Sequence, residues 1–284
     1  MNNFEKKVLN YPFKLKNKKE ILIDFFFPEK DNNPNKPLVL YCHGGGWSQG
    51  DKEKAQKGIF KKVHEGLLEN GFCIASVGYD KGEGIPIREC VTDCKDALRF
   101  IFSKSKELGV DTKNIFVFGD SSGGQIAQVI SFTGIEDFIG DSKLKNNACS
   151  VSAVVSWYAP VDFTDKKLMF KNELARNKDR FRDRIMAGAN LKEEQQRREE
   201  ISSITYLSES TPPLLVIHGE EDETIPVKHA RLIRKKAEEK NAKVKVLVIK
   251  NAGHNWRATD EKISIKKNRI IKQTIDFFVK NIKS

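Results

Sequence analysis

Short apolar runs alternate with segments of helical periodicity along most of the chain. The apolar runs predict buried strands at residues 11–15, 21–27, 38–42, 72–79, 115–118, 151–157, 214–218 and 243–249. Apolar residues spaced three and four apart predict helices at residues 52–69, 86–108, 123–132, 226–240 and 262–279. This alternation predicts an α/β fold with a mostly parallel central sheet and helices on both of its faces. The polar turn at 16–19 predicts a hairpin that adds antiparallel edge strands.

One segment, residues 163–206, interrupts this alternation. It is rich in charged residues, lacks a buried-strand run and contains helical patterns at 168–184 and 191–200. We therefore predict a single domain over residues 1–284, with 163–206 as a small helical insertion. The insertion is either a lid over an active site or a solvated connection between strands, and the pattern favours neither interpretation.

The bulk composition is typical of a soluble globular protein. Of 284 residues, 39% are hydrophobic and 31% are charged. No run approaches the ~20 apolar residues of a membrane helix, and no signal peptide is visible, so we expect a cytoplasmic protein unless a leader has been removed. The formal net charge is +11, but the lysines are spread along the chain, so nucleic-acid binding is not predicted.

The cysteines are five in number and scattered in position: Cys42, Cys73, Cys90, Cys94 and Cys149. Cys90 and Cys94 share a predicted helical face, but no histidine or second cysteine pair accompanies them, so no metal site is predicted. An odd, irregular set of this kind predicts reduced and mostly buried thiols.

A glycine-flanked serine follows the predicted strand at 115–118. Residues 119–123 read Gly-Asp-Ser-Ser-Gly, with Ser121 at the centre and a predicted helix after it. This G-x-S-x-G pattern is typical of a nucleophile elbow, in which a strand turns sharply into a helix and presents the serine hydroxyl at the turn. The pattern predicts Ser121 as the nucleophile of a serine hydrolase.

A serine nucleophile needs a base and a carboxylate that orients the base. After an elbow serine, the acid and then the histidine follow in the chain. His254 lies in the loop after the last predicted strand and Asp222 in the loop after the strand before it, so these are the predicted base and acid. Asp162 is a less favoured acid, and His64 is expected on a helix surface. The near rivals of Asp222 are Glu220, Glu221 and Glu223.

A glycine-rich loop follows the predicted strand at 38–42. Residues 43–47 read His-Gly-Gly-Gly-Trp. Consecutive glycines let backbone N–H groups approach a developing oxyanion closely. We predict an oxyanion hole formed by the N–H groups of Gly45, Gly46 and Ser122, with His43 fixing the loop by hydrogen bonding. Nucleotide binding is not predicted, because neither glycine loop matches a phosphate-binding pattern.

In combination, these motifs resemble those of the α/β-hydrolase superfamily. They are more narrowly similar to bacterial esterases related to hormone-sensitive lipase and to feruloyl and acetyl-xylan esterases, over about residues 20–280. The resemblance implies Ser121, Asp222 and His254 as the catalytic triad. It also implies that Tyr79 and Asp93 brace the site. The family often has alanine in place of Ser122. Because the segment before the first predicted strand is short, we expect no N-terminal helical cap of the kind found in the larger lipases of the family.

We therefore expect a serine carboxylic ester hydrolase that acts on small or aromatic acyl esters through an acyl-enzyme, without a metal or organic cofactor. Trp47, Tyr79 and Trp256 are candidates for substrate contact, although each is equally compatible with an ordinary core position. The expected partner is a small-molecule ester, and a homodimer remains open. The alternatives are an arylformamidase-type amide hydrolase, which shares the His-Gly-Gly-x-Trp pattern, and a hydrolase fold retained for binding alone.

Overall fold

The fold is seen in a computed structural model, which describes residues 7–29, 34–82, 84–165, 168, 185, 191–260 and 264–284. Within these residues, eight strands form one sheet: β1 Lys7–Lys16, β2 Lys19–Phe26, β3 Lys36–Cys42, β4 Cys73–Val77, β5 Val110–Asp120, β6 Ala153–Trp157, β7 Leu214–Gly219 and β8 Val244–Ile249. Their spatial order is β1-β2-β4-β3-β5-β6-β7-β8. Each predicted strand is present, although β1 and β5 extend well beyond their apolar runs.

The strand pairing confirms the predicted mixture of directions. β1 and β2 form an antiparallel hairpin, and β2 pairs antiparallel with β4. The hairpin turn contains Asn17 and Lys18 at positive φ, as a tight two-residue turn requires. All other neighbouring strands pair in parallel. Because parallel strands end at the same edge, the loops after β3, β5, β7 and β8 meet there.

The described helices follow the amphipathic segments: α1 Gly58–Glu69, α2 Ile87–Ser103, α3 Ser105–Leu108, α4 Ser122–Phe132, α5 Glu194–Glu200, α6 Lys228–Glu239 and α7 Lys267–Lys280. Short 3₁₀ helices are found at Lys52–Gln56, Leu191–Glu193, Ser203–Tyr206 and His254–Trp256. The helix predicted over 52–69 is divided, because Lys57 is extended between the first 3₁₀ helix and α1. The one predicted over 86–108 is divided at Lys104, between α2 and α3.

Two hydrophobic layers sandwich the sheet. Leu38 and Leu40 of β3 pack into one layer, and Val39 and Tyr41 pack into the other, since neighbouring residues of a strand face opposite sides. The first layer includes side chains of α2, α4 and α6, and the second includes side chains of α1 and α7. The prediction of helices on both faces is therefore confirmed.

The insertion predicted at 163–206 is described only in part. The helical pattern at 191–200 is confirmed as the 3₁₀ helix Leu191–Glu193 followed by α5. The helix predicted at 168–184 lies outside the described residues, apart from Leu168. A lid function for this segment stays a prediction.

Two findings bear on the expectations from composition. Among the described residues, no helix has the length and apolar character needed to cross a membrane. All five cysteines are buried and none forms a disulfide, which confirms the prediction of buried thiols.

Candidate active site

Ser121 lies at a sharp turn between β5 and α4. Its φ of 53° and ψ of −124° fall in a region that residues with a side chain rarely adopt. The turn is held on both sides: the Ser121 N–H donates to Trp157 O at 2.9 Å, and Ser121 O accepts from Gly124 N at 2.9 Å. A side chain at Gly123 would collide with the carbonyl oxygens of Cys42 and His43, so only glycine fits there. The nucleophile-elbow geometry follows directly from these contacts.

The structure brings Ser121, His254 and Asp222 together in one hydrogen-bonded chain. His254 Nε2 lies 3.1 Å from Ser121 Oγ, and His254 Nδ1 lies 2.7 Å from Asp222 Oδ2. Since a carboxylate can only accept, Nδ1 carries the proton and donates it to Asp222, which leaves Nε2 as the acceptor for the serine hydroxyl. This is the arrangement that a general base needs.

Asp222 is held rigidly by the backbone of its own loop. Its Oδ1 accepts from Thr224 N at 2.9 Å and from Ile225 N at 2.8 Å, while Oδ2 faces His254. Asp162, the less favoured acid, accepts instead from the backbone N–H and the hydroxyl of Thr164 and pins its own loop. The two carboxylates therefore have different surroundings: Asp222 contacts His254, whereas Asp162 contacts Thr164.

A cavity of about 190 Å³ opens beside Ser121. Its wall is formed by Gly45, Gly46, Trp47, Lys54, Asp120, Ser121, Ser122, Thr224, Ile225, His254 and Asn255. The predicted oxyanion-hole residues Gly45, Gly46 and Ser122 are thus brought together around Ser121. Gly45 has a φ of 142°, and a side chain there would collide with Gln49 O. Ser122 begins α4, so its N–H is at the positive end of the helix dipole.

Asp120, the residue before Ser121, joins the elbow to the glycine loop. Its Oδ1 accepts from Tyr41 Oη at 2.8 Å and from Gly44 N at 2.9 Å, and its Oδ2 lies 2.6 Å from Lys54 Nζ. The carboxylate is fully buried. Sequence reasoning missed this role and missed Lys54 altogether. The one available signal was the acidic residue inside the G-x-S-x-G motif.

The structure places only one of the three candidate aromatic residues on the cavity wall. Trp47 lines the cavity, and its Nε1 donates to Gln125 Oε1 at 2.9 Å. Tyr79 is buried and stacks on His43, with ring centroids 4.3 Å apart. Trp256 is buried against Trp157 and Tyr158. The predicted substrate contact is therefore corrected for Tyr79 and Trp256, since both lie in the packed interior.

His43 and His64 have structural surroundings. Burial lowers the pKa of His43 to about 4, against the opposing effect of its hydrogen bond to Gly44 O, so the ring is neutral. Its backbone oxygen accepts from Tyr79 Oη at 2.8 Å, which ties the glycine loop to the end of β4. The expectation that His64 is a surface residue is wrong: it packs in the core on the stripe of α1 that also contains Phe60 and Leu67, and its Nδ1 lies 2.8 Å from Ala55 O.

A second, larger cavity of about 590 Å³ adjoins the first. The two share Thr224, His254 and Asn255, and the larger one continues to polar and charged residues of the loops after β7 and β8, among them Glu221, Glu223 and Arg257. A substrate bound at Ser121 therefore has room on two sides: a small space next to the glycine loop and a wide polar one beyond His254.

Comparison of the sequence with known protein families identifies the family of this chain. The model of the BD-FAE family matches residues 23–237. The chain belongs to the BD-FAE family. The resemblance to esterases of the hormone-sensitive-lipase type is thereby confirmed at the family level.

Relatives of this BD-FAE chain include two proteins of Mycobacterium tuberculosis. Esterase LipC is 25% identical over 225 residues, which are 79% of this chain and 54% of LipC. The probable carboxylic ester hydrolase LipM is 25% identical over 204 residues, which are 72% of this chain and 45% of LipM. The BD-FAE chain therefore spans about half the length of these relatives.

A solved structure shares the fold over nearly the whole length. Thermogutta terrifontis esterase 2, in the form phosphoramylated by tabun, aligns with a TM-score of 0.78 over 97% of the BD-FAE chain and 94% of its own. At 17% identity this likeness establishes the α/β-hydrolase fold that the sequence predicts.

Proposed function

We propose that the protein is a serine carboxylic ester hydrolase that works through an acyl-enzyme intermediate. The observation that carries this proposal is the continuous chain from Asp222 through His254 to Ser121, with contacts of 2.7 and 3.1 Å. Membership of the BD-FAE family and the similarity to LipC and LipM support it.

In the proposed acylation step, His254 Nε2 takes the proton of the Ser121 hydroxyl while Oγ attacks the ester carbonyl. The negative charge that develops on the carbonyl oxygen is stabilised by the N–H groups of Gly45, Gly46 and Ser122. These donors are fixed before the substrate arrives, because the elbow and the Asp120–Gly44 contact hold both loops. The tetrahedral intermediate then collapses as His254 donates its proton to the leaving alcohol.

Deacylation repeats these steps with water. His254 takes a proton from the water, which attacks the acyl-enzyme carbonyl, and then returns the proton to Ser121 Oγ as the acid leaves. Asp222 holds the imidazole in the required tautomer and stabilises the imidazolium that forms in each half of the reaction. This sequence uses side chains and backbone groups of the chain itself and requires no cofactor.

The two cavities support separate positions for the acyl group and the leaving alcohol of the substrate. The 190 Å³ space beside the glycine loop fits a small acyl group. Trp47 forms part of its wall, although most of the Trp47 side chain is buried and packs against Phe163. The 590 Å³ space beyond His254 fits the leaving alcohol, because His254 must protonate that oxygen. Hydrolysis of small or aromatic acyl esters is therefore the proposed activity.

The chemistry is tested by comparing turnover of p-nitrophenyl acetate, methyl ferulate and N-formylkynurenine. We expect hydrolysis of one or both esters to exceed cleavage of the formamide. Dominant formamide cleavage would favour the arylformamidase-type alternative and overturn the ester proposal. Absence of any turnover would instead favour a fold retained for binding, although no triad member is missing.

The proposal also covers the cellular location and the oligomeric state of the protein. A cytoplasmic location is supported by the five buried cysteines without a disulfide, which is the usual state of thiols in a reducing compartment. A homodimer is the proposed alternative to a monomer, and sedimentation equilibrium would distinguish the two.

A further inference from the structure

Lys54 places a positive charge on the wall of the cavity that contains Ser121. It belongs to the 3₁₀ helix Lys52–Gln56, which follows the glycine loop. Its Nζ lies 2.6 Å from Asp120 Oδ2 and 4.7 Å from the centroid of the Phe60 ring. These two contacts fix the ammonium group, so that little side-chain entropy remains to be lost when a ligand binds.

The carboxylate of Asp120 pairs with this ammonium group from the buried side. The Asp120 side chain is fully buried, whereas 26% of the Lys54 side chain is exposed. Asp120 also accepts hydrogen bonds from Tyr41 Oη and Gly44 N, on its other oxygen. Both partners belong to the cavity wall, but the Lys54 side chain is the one with exposed area, so a ligand can contact the ammonium group.

The ammonium has donors to spare for a ligand. A lysine ammonium carries three N–H bonds, and within the described part of the chain the ammonium group of Lys54 donates one hydrogen bond, to Asp120. Among the residues lining the cavity, it is the one lysine or arginine. A charge-assisted hydrogen bond to a carboxylate is stronger than one to a neutral oxygen, so an anionic group has a clear advantage here.

The position of Lys54 assigns the anion to the acyl part of the substrate. The leaving alcohol must lie near His254, which also lines the larger 590 Å³ cavity, and Lys54 is not part of that wall. Lys54 instead shares the small cavity with the glycine loop, where the acyl group lies.

We propose that Lys54 selects acyl groups that end in a carboxylate, so that short hemiesters of dicarboxylic acids are preferred substrates. The inference rests on the proposed ester hydrolase function: water is added across the acyl–oxygen bond, and the products are the dicarboxylate and the alcohol. The formal net charge of +11 favours the approach of such anions as well.

The test compares monomethyl succinate with methyl succinamate, which has nearly the same shape but no charge. Methanol release gives kcat/KM for the wild type, Lys54→Met, Lys54→Arg and the control Lys57→Met, which removes an exposed lysine of the next turn. We expect the wild type to prefer the hemiester at least ~10-fold, since one charge-assisted hydrogen bond supplies that much discrimination. Lys54→Met loses the preference, whereas Lys54→Arg and Lys57→Met keep it.

The outcomes separate this inference from the proposal on which it rests. Turnover of methyl succinamate at a rate equal to or above that of the hemiester by the wild type would overturn the role of Lys54 and leave the esterase intact. A preference that disappears equally in Lys57→Met would also overturn it, since general charge would then be the cause. Failure of the wild type to hydrolyse either ester or p-nitrophenyl acetate would overturn both. A preference that persists in folded Lys54→Met would overturn the role of Lys54, and a wild-type ratio of one or below would do so even where Lys54→Met does not fold.

Discussion

Two clusters of buried carboxylates in this molecule have opposite surroundings. In the first, Lys14 Nζ lies 2.7 Å from both Asp93 and Asp96 of α2, and Arg99 lies 3.0 Å from Asp96, with every one of these side chains 5% exposed or less. In the second, at the carboxyl edge of the sheet, Asp120 and Asp222 accept mainly from backbone N–H groups, tyrosine and histidine.

The difference indicates what each cluster is for. A third cation, Lys16 of β1, lies 3.2 Å from Asp93, and none of the cations of this cluster lines the cavity at Ser121. The Asp93–Asp96 cluster therefore serves to fix β1 against α2. Around Asp120 and Asp222 the cation or histidine that completes the pairing, Lys54 or His254, also lines a cavity. Accessibility of the partner, and not burial of the carboxylate, therefore distinguishes the reactive region from the structural one.

The largest expected effect comes from removing the nucleophile. Ser121→Ala is expected to lower kcat by roughly 10⁶, with the fold retained, because the hydroxyl that forms the acyl-enzyme is lost. Hydrolysis of p-nitrophenyl acetate measures the loss of kcat, and circular dichroism checks that the fold is retained. Ser210→Ala, at an exposed serine, serves as the control. Near-normal activity of Ser121→Ala would exclude the assigned nucleophile.

The next effect tests the acid of the reactive region. Asp222→Asn is expected to lower kcat by roughly 10⁴, since the amide cannot hold His254 in the tautomer that accepts the serine proton. Asp162→Asn is the matched control, because Asp162 contacts the Thr164 loop and is expected to retain near-normal kcat. Equal losses in the two variants would show that the acid is wrongly assigned.

In the structural region we expect stability to change and the rate to stay the same. Lys14→Met removes two charge-assisted hydrogen bonds to the buried carboxylates of Asp93 and Asp96. Lys16 and Arg99 still pair with these carboxylates at 3.2 and 3.0 Å, so the free energy of unfolding is expected to fall by about 3 kcal/mol. Urea denaturation measures this loss, and kcat per folded molecule is expected to match the wild type.

The exposed pair of Lys104 and Glu107 provides the contrast, since its partners are 37% and 57% exposed. Lys104→Met is expected to lower the free energy of unfolding by less than ~1 kcal/mol. A Lys14→Met variant as stable as Lys104→Met would contradict the structural role of the buried cluster.

The smallest effect concerns pH. Burial lowers the pKa of His43, His64 and His229 to about 4, below the ordinary value of 6.5 that the unfolded chain retains. Between pH 6.5 and 4 the unfolded state therefore binds protons that the folded state does not, and stability falls as pH falls. Each histidine is expected to remove about 1 kcal/mol of unfolding free energy between pH 7 and 5.5.

His64→Gln isolates one of these contributions. Its unfolding free energy is expected to drop about 1 kcal/mol less than that of the wild type over the same interval. Glu65→Gln, on the exposed side of α1, should keep the wild-type pH dependence. An unchanged pH dependence in His64→Gln would contradict the neutral, buried state of that ring.

Patterns local in the chain predicted most of the fold. Continuous apolar runs identify β3, β4, β6 and β7 because strands covered on both faces must be apolar on both sides. The elbow and the glycine loop were recognisable because their tight geometry excludes larger residues. Ser121, Asp222 and His254 could be predicted to meet, since parallel strands end at one edge of the sheet.

What the sequence did not reveal depends on contacts between distant segments. Lys54 and Asp120 are 66 residues apart in the sequence. Taken separately, Lys54 resembles an ordinary surface lysine, and Asp120 is only the variable position of the G-x-S-x-G motif. The burial of Tyr79 and Trp256 depends on His43, Trp157 and Tyr158, which a linear pattern does not place beside them. For His64 a signal was present, because it shares the helical stripe of Phe60 and Leu67.

The proposed mechanism requires Ser121 to be an activated nucleophile in an accessible cavity. Labelling of the native protein with a fluorophosphonate probe, followed by peptide mass spectrometry, measures this reactivity. We expect one adduct on Ser121 that is absent in Ser121→Ala and strongly reduced in Asp222→Asn. A folded wild-type protein that is not labelled at Ser121 would contradict it.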